Sequence, residues 1–369
     1  MFVSNYYIMY TEIIKIIEGG LAKDTKKVAS YAKLLAENVA KTGDIKLSEK
    51  ILKTLKDTKA QPVYLDQLIA SPVDQETRMN IADFVFPSDI EIPLIFSKQL
   101  ENSIENFISM NAHKNMLRSA GLEVNSSLLL YGPPGCGKTT IAKYISKTLQ
   151  LPLVIARLDS LVSSLLGNTS KNIRKVFDFA SNQPCILFLD EFDAIAKARD
   201  DQHELGELKR VINSLLQNID EFSTNNILIA ATNHHELLDK AIWRRFNHII
   251  EIGLPNKEEI NELLKLYFSY YIYDFANDNK KNEKILNLLD KLSPADIKSI
   301  TQSTIAKNII ESKSTISYED FLVQIFLFKH HGSYSQEELI SFLNEQGVSQ
   351  NLIKELCKIS IRQVRNVLK

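Results

Sequence analysis

Hydrophobic positions along this chain change rhythm at several points, and each change marks a boundary. Over residues 5–57 apolar side chains recur at helical spacing, with Val28, Tyr31, Leu35 and Val39 on one stripe. Gly19-Gly20 and Thr42-Gly43-Asp44 interrupt the pattern, which predicts two or three short helices packed as a bundle over residues 1–60. Pro62, Pro72, Pro87 and Pro93 punctuate residues 61–94, which read as a linker with little regular structure. From 95 to 254, helical stretches alternate with short apolar runs at 128–131, 152–156, 185–189, 227–231 and 248–252. Continuous apolar runs between helices predict βαβ units: a five-stranded parallel sheet, covered on both faces, in an α/β domain. After Pro255 the pattern is wholly helical to residue 331, predicting a separate small α-helical domain, and a last helical module occupies 332–369.

Composition narrows the class further. The 369 residues hold 44 Lys and Arg against 45 Asp and Glu, so no global field advertises nucleic acid or membrane. The exception is local: residues 351–369 carry Lys354, Lys358, Arg362, Arg365 and Lys369 against Glu355. Cys136, Cys185 and Cys357 form no close pair and no metal spacing, which favours a reducing compartment. The N-terminus lacks the basic start and small-residue cleavage site of a signal peptide, and no apolar run reaches about eighteen residues. These features predict a soluble, cytoplasmic protein with no membrane partner.

The chemistry begins at the first strand candidate. Leu128-Leu129-Leu130-Tyr131 runs into Gly132-Pro133-Pro134-Gly135-Cys136-Gly137-Lys138-Thr139, followed by the helical run Thr140-Ile141-Ala142-Lys143-Tyr144. G-x-x-x-x-G-K-[ST] between a strand and a helix is a phosphate-binding loop. Its glycines let successive backbone N–H groups turn inward around a phosphate, and the helix points its positive end at the same anion. Lys138 can reach the β- and γ-phosphates, and the Thr139 hydroxyl can ligate Mg²⁺. The segment implies binding of a nucleoside triphosphate. Cys136 within it is either an oxidant-sensitive thiol or a small residue tolerated there.

A second apolar run, Cys185-Ile186-Leu187-Phe188-Leu189, ends in Asp190-Glu191. A buried strand delivers its C-terminal end to the ligand crevice of an α/β sheet. Asp190 there can hold the Mg²⁺ water shell, and Glu191 can orient and deprotonate an attacking water. A third run, Ile227 to Ala231, ends in Thr232-Asn233, where Asn233 either meets the γ-phosphate or lytic water or caps the next turn. Arg244-Arg245 precedes the last strand as either a solvated charge pair or arginine fingers for a neighbouring subunit's γ-phosphate.

Taken in order, Gly132–Thr139, Ile186–Glu191, Ala231-Thr232-Asn233, Leu238-Asp239, Arg244-Arg245-Phe246 and Ser293-Pro294-Ala295-Asp296 resemble the AAA ATPases of the AAA+ superfamily, over roughly residues 90–331. The resemblance implies a P-loop NTPase fold, ATP and Mg²⁺, and a homo-oligomeric ring, a hexamer, whose nucleotide sites lie between subunits. By motif position the nucleotide is held by Gly132, Pro133, Pro134, Gly135, Cys136, Gly137, Lys138, Thr139, Thr140 and Ala295. Thr139 and Asp190 take the metal, Glu191 is the base, Asn233 the polar sensor, and Arg244 and Arg245 fall at the finger positions. Two positions depart from the family. Pro294 stands where Gly is usual, tolerable because Ser293 suits an N-cap and Pro the first helical position. In Leu161-Val162-Ser163-Ser164-Leu165-Leu166-Gly167, similar to the substrate-gripping pore loop, Leu165 replaces the usual aromatic and offers less contact area.

Other signals carry less. Asp200-Asp201-Gln202-His203-Glu204 reads as a solvated loop rather than a metal site, His234-His235 as a surface turn, and Phe321, Ile325 and Phe328 as helix core. Residues 349–369 are similar to a bacterial helix-turn-helix, with Leu352, Ile353, Leu356, Ile359, Val364 and Val367 as its seam. Ser360 would cap a second helix showing Arg362, Gln363, Arg365 and Asn366 outward toward DNA. A helical hairpin docking on the ring or a partner is the competing reading, and Lys354 and Lys358 depart from the motif's small residue and glycine. The layout also resembles bacterial AAA ATPases encoded beside subtilisin-like serine proteases and associated with plasmid incompatibility or phage defence. Two functions stay open: an ATPase ring that remodels or activates a protein substrate or partner, or an ATP-switched DNA-binding or defence-signalling assembly working through the C-terminal tail.

Overall fold

The computed structural model describes Ile13, Ile16, Ile17 and residues 25–41, 45–57, 82–90, 95–158, 166–194 and 205–369. It divides into two compact units, Met1–Asn80 and Ile81–Lys369. Within the first, helices α1 (Thr25–Lys41) and α2 (Ile45–Asp57) pack on each other. Helix α1 buries Ala32, Ala36 and Val39, while Val28, Tyr31 and Leu35 of the expected stripe are half-buried. The stripe therefore centres on two alanines, whose small side chains let a second helix come close.

The second unit is built on a six-stranded sheet ordered β1-β3-β4-β5-β2-β6. Its strands are β1 (Asp83–Val85), β2 (Ser127–Tyr131), β3 (Leu153–Arg157), β4 (Ile186–Asp190), β5 (Ile227–Thr232) and β6 (His248–Glu251). Strands β2 to β6 are parallel and start within about two residues of the apolar runs, a margin ordinary for strand ends. Strand β1 corrects the expectation of an irregular linker there: it runs antiparallel to β3, with Phe84 opposite Val154. Three residues ending just before Pro87 are too few to show a period of two, and Phe84 is held edge-to-face on Phe179 instead.

Successive strand residues point to opposite faces. Leu129, Val154, Leu187 and Leu228 join one core with α6 (Leu166–Ser181) and α7 (Leu205–Asn225). Leu128, Leu130, Ile155, Phe188 and Ile229 join another with α3 (Lys98–Ala112) and α5 (Lys138–Leu149). The short helices α4 (Lys114–Ser119) and α8 (Lys240–Trp243) precede β2 and β6 respectively.

The rest of the unit is a helical cap on a third core. It comprises α9 (Lys257–Tyr267), α10 (Asn279–Leu289), α11 (Pro294–Ile310) and α12 (Tyr318–Lys329), then α13 (Gln336–Glu345), α14 (Gln350–Cys357) and α15 (Ile361–Val367). The stretch is not wholly helical, because β7 (Ile272–Tyr273) and β8 (Thr315–Ile316) pair in parallel. Phe268, Phe275 and Phe321 form its aromatic centre, with Phe275 and Phe321 stacked 5.4 Å apart. Leu343, Ile353 and Val364 belong to the same core, so the last three helices continue the cap rather than standing off as a tail. Lys284 Nζ and Tyr318 Oη both donate to the Gln346 carbonyl and fasten α13 to α10 and α12. Among the described residues no helix is long and apolar enough to cross a membrane.

Candidate functional site

The loop between β2 and α5 is shaped by its glycines. Gly132, Gly135 and Gly137 take φ of 143°, 76° and 92°, a region that favours glycine. A Cβ at Gly132 would collide with the Ile252 carbonyl, and one at Gly135 would lie 2.5 Å from Ser293 Oγ. The loop is thus wedged between the end of β6 and the start of α11. Helix α11 begins on a reciprocal cap in which Ser293 and Asp296 bond each other's backbone N–H, with Pro294 at the first position. Its Ala295 N–H donates to the Gly135 carbonyl at 3.2 Å, so the helical cap touches the loop directly.

Lys138 is buried at the first position of α5, and its Nζ donates to the Gly132 and Pro133 carbonyls at 2.7 and 2.8 Å. Burial pushes its ammonium below the usual lysine range, an effect the nearby Cys136, Asp190 and Asp193 oppose. An anion entering the loop would meet a cation that is incompletely solvated. Cys136 is itself buried, and burial raises its thiol, which favours the tolerated small residue over a reactive thiolate. Thr140 follows in the first turn of α5.

Strand order sets the rest of the site, because β5 lies between β4 and β2 and their C-terminal ends open side by side. Thr139 Oγ1 donates to Asp190 Oδ2 at 3.0 Å, joining the loop to the end of β4 through two oxygens that both suit a hard cation. The other carboxylate oxygen accepts from the Glu191 N–H at 3.0 Å. Glu191 has φ +55°, unusual for a residue with a Cβ, and this turn sends Phe192 back to donate to the Ala231 carbonyl of β5 at 2.8 Å. Asp193 is 4% exposed; its Oδ1 accepts from Thr232 Oγ1 at 3.1 Å and from the Asn233 N–H at 3.3 Å. Asn233 is half-buried at the tip of β5. Sequence reasoning missed Asp193. Its signal was present as a third acidic residue in Asp190-Glu191-Phe192-Asp193, but nothing in the pattern said which carboxylates point inward.

The paired arginines separate in space. Arg244 caps the C-terminus of α8 and is exposed. Arg245 is 30% exposed; its guanidinium donates to the Ala241 carbonyl at 2.8 Å and faces Asp220 of α7 at 3.4 Å. His234 meets Glu236 at 3.0 Å, and the His235 ring tilts on Tyr131, as a surface turn would have it. Among the described residues no His, Cys, Asp and Glu group has metal-site composition and geometry. Leu165 and the run Asp200–Glu204 lie outside the described residues.

At the C-terminal end, Ser360 caps α15 as its sequence suggested, Ser349 caps α14, and Lys358 joins the helices at φ +53°. Arg362, Gln363, Arg365 and Asn366 are exposed. The seam differs at Leu352, which is 40% exposed and does not face Ile353 and Val364 in the core. Arg365 also reaches Gln350 Oε1 at 3.4 Å, and Gln363 is engaged by Ser360.

Residues 128–254 match the model of the ATPase family associated with various cellular activities (AAA). The chain is 35% identical over 314 residues to an uncharacterized AAA family ATPase, y4kL, from Sinorhizobium fredii, covering 84% of this chain and 92% of that one. It is 32% identical over 241 residues to the proteasome-activating nucleotidase of Thermococcus onnurineus, covering 62% and 58%. It is 37% identical over 201 residues to the ribosome biogenesis ATPase RIX7 of Saccharomyces cerevisiae, covering 51% of this chain and 23% of that protein.

Proposed function

The chain belongs to the AAA family and is an ATPase, and from that premise we propose that it works as a ring, a hexamer, that remodels or activates a protein substrate or partner. The observation that carries the site assignment is the hydrogen bond from Thr139, just after the β2 loop, to Asp190 beside Glu191 at the end of β4, two strands of one sheet separated by β5. Gly132, Gly135 and Gly137 form a backbone cradle that fits phosphates, and Lys138 exchanges its two carbonyl partners for β- and γ-phosphate oxygens. The Thr139 hydroxyl and the Asp190 carboxylate would hold Mg²⁺, which when bound neutralises charge on the phosphates. Glu191 takes the proton of the attacking water, and Asn233 orients that water or the γ-phosphate. Pro133, Pro134, Cys136, Thr140 and Ala295 complete the nucleotide's surroundings. Arg244 and Arg245 serve a neighbour's site, and Leu165 grips substrate in the pore.

Two relatives carry names that tie an ATPase to a proteasome and to ribosome biogenesis, which supports work on proteins or their assemblies. The layout's resemblance to ATPases encoded beside subtilisin-like serine proteases makes such a protease the first partner to test, with phage defence or plasmid incompatibility as the setting. The second reading, an ATP-switched DNA-binding or defence-signalling assembly, is favoured by the exposed basic side chains of Arg362, Arg365 and Lys369 beside Lys354 and Lys358.

One experiment addresses chemistry and client together. Glu191→Gln keeps the nucleotide site but removes the proton acceptor, so turnover falls about 10²–10⁴-fold while ATP binding persists; Lys138→Ala instead loses nucleotide affinity. The Glu191→Gln protein, isolated from its own host with ATP, retains a protein client or partner that mass spectrometry identifies. Near-normal turnover removes Glu191 as the base. Capture of DNA alone, lost when Arg362 and Arg365 are changed to Glu, transfers the assignment to the second reading.

A further inference from the structure

We infer that Asp193 is a positioning residue for ATP hydrolysis: its buried carboxylate sets where Asn233 stands relative to Glu191. The inference rests on the proposed roles of those two residues. The ladder between β4 and β5 has its last paired rung at Leu189 and Ala230, short of both functional positions. Beyond that rung each strand end is held by its other neighbour, Asp190 by β3 and Thr232 by β2, and no ladder pair sets one end against the other. Two features close the gap. The left-handed turn at Glu191 brings the Phe192 N–H to the Ala231 carbonyl at 2.8 Å. Asp193 then reaches across, and a single oxygen, Oδ1, accepts from the Thr232 hydroxyl at 3.1 Å and the Asn233 N–H at 3.3 Å. The same Thr232 hydroxyl accepts from the His234 N–H at 3.1 Å, so the turn on both sides of Asn233 is tied to this carboxylate.

A carboxylate removed from water is costly unless its hydrogen bonds are made, and here two of them come from the sensor's backbone N–H and its neighbour's hydroxyl. Asp193 is buried away from solvent, whereas Asp190 and Glu191 are part-exposed. Its effect on catalysis therefore passes through Asn233. Misplacement of a positioned group by about 1 Å costs on the order of 10²-fold in rate. Nucleotide binding rests mainly on the loop of residues 132–139 and changes little.

The test compares Asp193→Ala with Asp193→Asn in the full chain, and Thr232→Val with Thr232→Ser. Steady-state ATPase, titration with a fluorescent ADP and thermal unfolding are read together. Asp193→Ala and Thr232→Val are expected to lower kcat about 10- to 100-fold, with the ATP KM and ADP affinity within about twofold of the parent. Asp193→Asn retains the Oδ1 acceptor and Thr232→Ser the hydroxyl donor, so both recover most of kcat. A parental kcat in Asp193→Ala, in a protein whose Glu191→Gln variant is inactive, overturns the inference while leaving the base assignment intact. So does a loss that follows melting temperature alone and is not rescued by Asp193→Asn. Normal turnover in Glu191→Gln fails the underlying reading instead, and the inference with it. If Asp193→Ala does not fold, the Thr232 pair decides: parental kcat in Thr232→Val overturns the proposal.

Discussion

At Gly135 a single hydrogen atom stands where any other residue would place a carbon. The position combines φ +76° with a direct approach of the helical cap, so Ala there meets backbone strain and Ser293 Oγ at 2.5 Å together. Left-handed backbone costs a residue with a Cβ about 1–2 kcal/mol, about a tenfold change in affinity, and displacing α11 adds to it. Gly135→Ala is expected to weaken fluorescent-ADP binding at least tenfold. Gly121 supplies the control, since it has φ +81° but open space around its missing Cβ. Gly121→Ala should lower stability to denaturant by about 1 kcal/mol and leave nucleotide affinity unchanged.

Among the elements, helices α11 and α12 depend on a carboxylate that has nothing to do with nucleotide. Asp320 is 2% exposed and accepts from Lys307 Nζ at 3.1 Å, Lys313 Nζ at 2.7 Å and Ser317 Oγ at 2.9 Å. Burial alone would raise its acidity constant's pKa, but the hydrogen bonds from Lys313, Lys307 and Ser317 outweigh burial and hold it below the ordinary aspartate value of 3.8. A folded value below the unfolded one contributes stability that is complete above about pH 4 and is lost as pH falls through the folded value. Both lysines remain 30–42% exposed and return to water when unpaired. Asp320→Asn should therefore cost about 2 kcal/mol at pH 7, the scale of a hydrogen bond to a charged group. The difference from the parent should shrink progressively in urea unfolding as the pH is lowered below about 4.

For the whole molecule, the two arginines separate an assembly question from a folding question. Arg244 is exposed, whereas Arg245 is held to Asp220 within its own chain, so their losses are expected to differ. Subunits carrying Arg244→Ala mixed with Lys138→Ala subunits should regain ATPase activity at interfaces that join an intact phosphate loop to an intact arginine. Activity that never exceeds the sum of the separate proteins at any mixing ratio would mean that each site is complete within one chain. Arg245→Ala is expected to lose unfolding free energy as well, by about 0.2–1 kcal/mol, because its partner is partly exposed.

Much of this protein was legible in the chain itself. The apolar runs marked the five parallel strands because strands buried on both faces are continuous in hydrophobicity, and the glycines and Lys138 marked the loop proposed to hold phosphate because glycine takes positive φ without steric cost and lysine adds a cation. Ser293 and Ser360 announced their caps by residue type and position alone. What the chain could not announce depends on distance in sequence. The order of β4, β5 and β2 brings Thr139 to Asp190, 51 residues on, and Asp193 to Thr232, 39 residues on. Strand β1 was too short for a period, and the last three helices read as a separate module because only packing reveals that Ile353 and Val364 share the core of Phe321. Local periodicity records which face of an element is apolar; which other face it meets is decided only when the chain is folded.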